Sequence, residues 1–233
     1  MKQINLIVQS KGGVGKSLLL WFIAQIEKDN KSIFIDLDES TQTSSNRLEF
    51  LGEGRVKAIK ILDANKKLER EKILDLFETL SKTKATEFFI DFGAPESQEL
   101  LKVFTHDIDA QTLAEALTEM GVKLRIFVVI AGRDALRSCM DYYTNLHTSL
   151  DGKITVFPLI NEGTLGGIEK IEELKTQLEN KLPYYPFGGL GEAESGKSVI
   201  NIISTKKSPE TLNFTARLAY KKGIKQVEAI LSL

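Results

Sequence analysis

Two lysines flank a glycine-rich run near the start of the chain, in VQSKGGVGKSLLLW, residues 8–21. Lys16 and Ser17 form the G-K-[ST] step of a phosphate-binding loop, where the ammonium reaches the outer phosphates and the hydroxyl serves Mg²⁺. Gly12, Gly13 and Gly15 let the backbone curl, so that successive N–H groups point inward at phosphate oxygens. The loop departs from the usual G-x-x-x-x-G-K-[ST] pattern, because Ser10 replaces the first glycine and Lys11 is added. A β-branched run, INLIVQ (4–9), leads into it and a long apolar run, KSLLLWFIAQIEKD (16–29), follows. That is the strand–loop–helix setting in which such a loop binds phosphate, with the positive helix end facing the anion. A second G-K-S, in ESGKSV (194–199), has no β-branched strand before it and reads as coincidence.

A phosphate loop also needs an acid on a neighbouring strand to hold Mg²⁺, directly or through water. TEFFIDFGA supplies the right form, an apolar run ending in Asp91. Asp36 and Asp38 end another apolar run, SIFIDLD (32–38). Asp38 also opens the polar run DESTQTSSN, which suits a switch that senses the γ-phosphate. Asp38 and Gln42 are both candidates to orient an attacking water.

The elements that must position these groups alternate along the chain. Strands are expected over 4–9, 32–38, 55–62, 122–132 and 153–161, with one in 86–95 that ends at Asp91 and gives way to a loop, and a short strand or loop at 182–189. Helices are expected over 16–29, 68–82, 109–121, 133–150, 166–181 and 208–233, the last in two pieces around Gly223. Such alternation implies βαβ crossovers. The expected fold is α/β, a mostly parallel sheet flanked by helices on both faces, in a single domain over 1–233. Functional groups should then gather at the C-terminal ends of the strands.

Composition excludes several alternatives. The net charge is −1, so no global basic field points to nucleic acid. One cysteine, Cys139, rules out a disulfide framework within the chain and suits a reducing cytoplasm. His106 and His147 lie far apart without metal-ligand spacing and read as surface residues. The N-terminal apolar run is too short for a signal peptide, and no run approaches a membrane span.

KGGVGKS with its extra Lys11, then FIDLDES and FFIDFGAP, resembles the deviant Walker A ATPases of the ParA/MinD type. LIVQSKGGVGKS, IDFGA, VVIAGRDAL and LINEGTLGG look most like the TraL/StbB/MobD-like branch, carried by conjugative or mobilizable plasmids. The resemblance implies ATP and Mg²⁺ as cofactors and an ATP-dependent homodimer. Lys11 matches the signature lysine that crosses to the partner's phosphates. Lys16 completes the loop, Asp38 positions the hydrolytic water, and Ser17, Asp38 and Asp91 form the Mg²⁺ set. The nucleotide set is Lys11, Gly12, Gly13, Val14, Gly15, Lys16, Ser17 and Leu18. Asn161 is added as the residue that reads adenine, and Pro186 as a neighbour of the base. DES replaces the DPQ frequent in partition ATPases, and DFGAP replaces D-x-P-P. The nitrogenase iron protein shares the loop but needs cluster cysteines that this chain lacks.

Partners follow from the same reading. Lys206, Lys207, Lys221, Lys222 and Lys225 offer a local patch for nonspecific DNA binding in a dimer. A relaxase or a DNA-binding adaptor is the expected protein partner. Ile224, Val227, Ile230 and Leu231 recur at helical spacing and should pack on the domain rather than insert into a membrane. The expected activity is slow hydrolysis of ATP to ADP and phosphate, in plasmid partition or conjugative mobilization. A P-loop kinase or ligase for small molecules is the alternative, although NEGTLGG lacks a charged substrate constellation. An ATP-binding adaptor with little hydrolysis is a further one.

Overall fold

β-branched and aromatic residues crowd the runs that become strands, and Lys/Glu-rich periodic stretches become the helices around them. The computed structural model describes residues 1–37, 46–61, 69–178, 182–191 and 193–233. In chain order these hold β1 (Lys2–Val8), α1 (Lys16–Ile26), β2 (Ile33–Asp36), β3 (Val56–Ala58), α2 (Glu71–Ser81) and β4 (Glu87–Asp91). Next come α3 (Ala94–Lys102), α4 (Ala110–Glu119), β5 (Val122–Ile130), α5 (Leu136–Leu150) and β6 (Thr155–Asn161). The chain finishes with α6 (Ile168–Leu178), β7 (Tyr185–Phe187), α7 (Glu194–Ser204) and α8 (Phe214–Leu231).

The strands form one seven-stranded sheet in the order β3-β2-β4-β1-β5-β6-β7, and every pairing is parallel. β1 lies between β4 and β5 and is covered on both faces, so Ile4, Leu6, Ile7 and Val8 are all fully buried. That explains its nearly continuous apolar run, since alternation is lost where a strand has no wet face. The registers bring the C-terminal ends of the central strands level. Ile7 and Asp36 both pair with Asp91, and Val8 pairs with Val128.

Several boundaries differ from the sequence expectation. The third strand spans only Val56–Ala58, with Arg55 and residues 59–61 outside it. The run after β4 turns into helix at Ala94, because proline is tolerated in a first turn where its missing N–H has no partner to lose. Nothing in the sequence reading anticipated α3. The C-terminal helix runs unbroken through Gly223. There the glycine serves contact, not a break: a Cβ would lie 2.7 Å from the Phe22 ring and 3.2 Å from Leu190. Val227 and Ile230 are buried and Ile224 and Leu231 pack against the core, so the apolar stripe of α8 does face the domain. Among the described residues, no helix is long and apolar enough to cross a membrane.

The N-terminal edge of the sheet holds a buried arginine. Arg125 Nε donates to Asn5 Oδ1 at 2.7 Å and Nη1 donates to the Leu231 carbonyl at 3.1 Å. Its cation therefore closes the C-terminal end of α8, where carbonyls lack helical partners and the dipole favours positive charge. Burial lowers its pKa, partly opposed by Glu87.

Close packing at Gly223 sets one expected outcome. Gly223→Val should destabilise the chain by about 1–3 kcal/mol through overpacking against Phe22, read as a lower urea midpoint.

Candidate functional site

α1 begins without a side-chain cap. Its N-cap is Gly15, in the left-handed region at φ 107°, and no acid lies in the first turn. By contrast, Asp109 and Asn213 cap α4 and α8 through their side chains. The N-terminus of α1 thus has no capping side chain of its own, and its dipole favours an anion there. Gly13 at φ 73° continues the turn that aims the loop backbone. Lys11, Gly12 and Gly13 are exposed, Val14 is buried, and Gly15, Lys16, Ser17 and Leu18 are half-buried. Lys16 Nζ folds back to the Gln9 carbonyl at 3.2 Å, across the base of the loop.

Asn161, at the end of β6, reaches under the loop. Its Nδ2 donates to the Val14 carbonyl at 2.8 Å, and its Oδ1 accepts from the Gly163 N–H at 3.1 Å. Three glycines make room for that amide. A Cβ on Gly15 would lie 2.2 Å from Asn161 Nδ2, one on Gly188 2.4 Å from Oδ1, and one on Gly163 3.3 Å from Oδ1. Asn161 thus lies against the loop, and its amide grips protein backbone at both ends. The turn after it is anchored too: Thr164 Oγ1 donates to the Asn161 carbonyl at 2.7 Å and accepts from the Gly132 N–H at 2.8 Å.

On the other side of β1, Asp91 and Asp36 face each other in register at the ends of β4 and β2, both buried. Two adjacent carboxylates out of water require cations or donors around them. Among the described residues no group of three or more His, Cys, Asp or Glu could hold a metal by itself. The donor set of a serine hydroxyl and strand-end carboxylates instead fits Mg²⁺, which binds through a few hard oxygens together with phosphates. Asp38 and Gln42 lie outside the described residues.

Pro186 pairs with Ile160 on the edge strand and lines a groove against α8 with Leu218 and Lys221. Its neighbour Phe187 is fully buried, opposite Asn161, and its ring lies 3.7 Å from where a Gly15 Cβ would stand. Sequence reasoning also passed over Gln9. Its buried side chain donates to the Val129 carbonyl at 2.9 Å, and its backbone N–H donates to Ser97 Oγ at 3.1 Å. It ties the start of the loop to β5 and α3. The signal was visible as one polar residue closing an apolar strand.

The other polar candidates separate cleanly. His106 and His147 are exposed. Cys139 is buried on α5 and burial pushes its thiol pKa up, so it is no ready nucleophile. The second G-K-S lies inside α7, where Lys197 pairs with Glu194 at 2.7 Å. Gly196 is there for space, since a Cβ would meet the Gly191 carbonyl at 2.5 Å.

No protein-family model matches the chain. Protein TraL of Escherichia coli is 27% identical over 187 residues, covering 78% of this chain and 73% of TraL. Among solved structures, a candidate plasmid partition protein of Borrelia burgdorferi B31 bound to AMPPNP matches with a TM-score of 0.59 at 19% identity. That match covers 100% of this chain and 98% of the other. The MinD cell division protein of Aquifex aeolicus matches with a TM-score of 0.58 at 15% identity, covering 99% and 97%. The fold is that of ParA/MinD-type P-loop proteins, and the sequence similarity lies with TraL.

The Asn161 geometry has a specific consequence. Asn161→Ala should weaken MgATP and the base-free Mg-tripolyphosphate by the same factor, about tenfold for a lost buried hydrogen bond and its stranded partner. Calorimetric titration of both ligands checks this. A loss confined to ATP would instead assign the amide to the base.

Proposed function

We propose that this chain, with its ParA/MinD-type P-loop fold, is a slow switch ATPase acting in plasmid DNA partition or conjugative mobilization. In this reading ATP draws two copies together, and its hydrolysis to ADP and phosphate releases them. The observation that carries the reading is Lys11, exposed beside a phosphate loop whose helix has no cap of its own. A cation there is surplus to one nucleotide site already served by Lys16. It is free to reach the phosphates held by a second copy.

The chain's own groups would divide the work as follows. The N–H groups of 12–17 and the Lys16 ammonium hold the β- and γ-phosphates. Mg²⁺, held by Ser17 and Asp91, would offset phosphate charge. Asp38 orients the attacking water, and Lys11 adds charge-assisted hydrogen bonds in the paired state alone. Loss of the γ-phosphate removes those contacts, which couples hydrolysis to separation. The name of the TraL relative and the partition protein solved with AMPPNP support a plasmid role and an adenine nucleotide. Of the lysines expected to meet DNA, Lys206 is engaged with Glu49 at 2.9 Å, while Lys222 and Lys225 remain on the exposed side of α8.

Two variants test the reading by light scattering and phosphate release. Lys16→Ala should lose roughly 10–100-fold in ATP affinity, the scale of a charged hydrogen bond. Lys11→Ala should bind ATP within about twofold of the parent, stay monomeric and hydrolyse slowly, because its contacts form only across the pair. A Lys11→Ala protein that pairs on ATP and turns over normally would sink the proposal.

A further inference from the structure

α1 carries the phosphate loop at one end and a cleft along its flank. The cleft, of about 740 Å³, lies between α1, the Asn46–Phe50 segment, the connection from α7 to α8, and α8 itself. Its floor is aromatic. Trp21 packs edge-on against Phe22 at 5.3 Å and against Tyr220 at 6.0 Å. Although Trp21 is only 3% exposed, its indole N–H has no acceptor among the described residues. On the wall, Phe50 keeps 47% of its surface exposed.

The rim is cationic. Lys28, Arg47, Lys206, Lys207, Arg217 and Lys221 face the carboxylates of Glu49 and Glu210. Among the described residues only Lys206 of these cations forms an ion pair, with Glu49 at 2.9 Å. Lys206 sits in the left-handed region at φ 55°, a conformation that favours glycine, and carries its side chain to the mouth of the cleft. A concave site with an aromatic floor, an open donor and uncompensated cations recognises a partner by an apolar anchor and flanking negative charge.

We propose that this cleft binds an acidic peptide segment bearing an aromatic or aliphatic side chain. The anchor enters over Trp21, Phe50 and Tyr220, and the flanking carboxylates meet Arg47 and Lys207. A nucleic acid fits less well, because the cations ring a concave aromatic cleft of about 740 Å³, which admits side chains rather than a strand laid along a surface. The peptide would rest on the helix that starts the phosphate site, with Trp21 five residues after Lys16.

The chain has a single tryptophan, so its fluorescence reports on the cleft alone. The full chain is titrated with a glutamate–tyrosine copolymer, with polyglutamate, and with single- and double-stranded DNA. The copolymer is expected to shift Trp21 emission saturably and to bind at least about fivefold tighter than polyglutamate, because only it supplies the anchor. Lys207→Glu and Phe50→Ser, both exposed positions, should each weaken that binding about tenfold with an unchanged melting temperature. The proposal is overturned if every probe leaves the emission unchanged, if DNA alone shifts it, if polyglutamate binds as well as the copolymer, or if both variants bind like the parent.

Discussion

The upper edge of this sheet is organised around a helix that begins behind a left-handed glycine, without a side-chain cap. A capping side chain would occupy the first amides, and Gly15 supplies none. A loop so rich in glycine needs rigid support, or it would collapse onto the nearest carbonyl. Asn161 gives that support from β6, and Gln9 gives it from β1. Both residues sit at strand C-terminal ends, so the parallel registers of the sheet are what bring them to the same place.

Charge is distributed with the same logic. The end of the sheet that holds the loop carries a buried acid pair, Asp36 and Asp91, in register on neighbouring strands. The opposite end carries the buried Arg125, which closes α8 and bonds Asn5. The first arrangement places its acids at strand C-terminal ends; the second ties its groups into the fold. α1 joins two parts of the surface: its N-terminus follows the glycine loop, and Trp21 on its flank floors the aromatic cleft.

Much of this was legible in the residues. Three glycines, a lysine and a serine between a β-branched run and an apolar one define a phosphate loop through local geometry alone. Asp91 was legible for a similar reason, as an acid closing an apolar strand. Other features were not. α3 was hidden because FGAPESQELL begins with glycine and proline, which read as loop until the first turn is seen to accept them. Gly223 read as a helix stop, because a glycine's local meaning is a break and only Phe22, some two hundred residues earlier, makes it a contact. Phe187, the residue after Pro186, packs beneath Gly15 and was hidden on a strand too short to show a period.

By itself, then, the sequence determined the strand–loop–helix unit, the doubly covered parallel sheet and the chemistry of an anion site. Those depend on neighbours within a few positions and on apolar periodicity. Tertiary structure decided the direction of long-range side chains. Asn161 turns its amide to the Val14 carbonyl, 147 positions away, because Gly15, Gly163 and Gly188 leave a slot that only an amide fills. Lysines from the α7–α8 connection and α8 converge with Arg47 on one aromatic cleft for the same reason. No local pattern encodes which distant backbone an isolated polar group will meet; the packing of the sheet and its helices does.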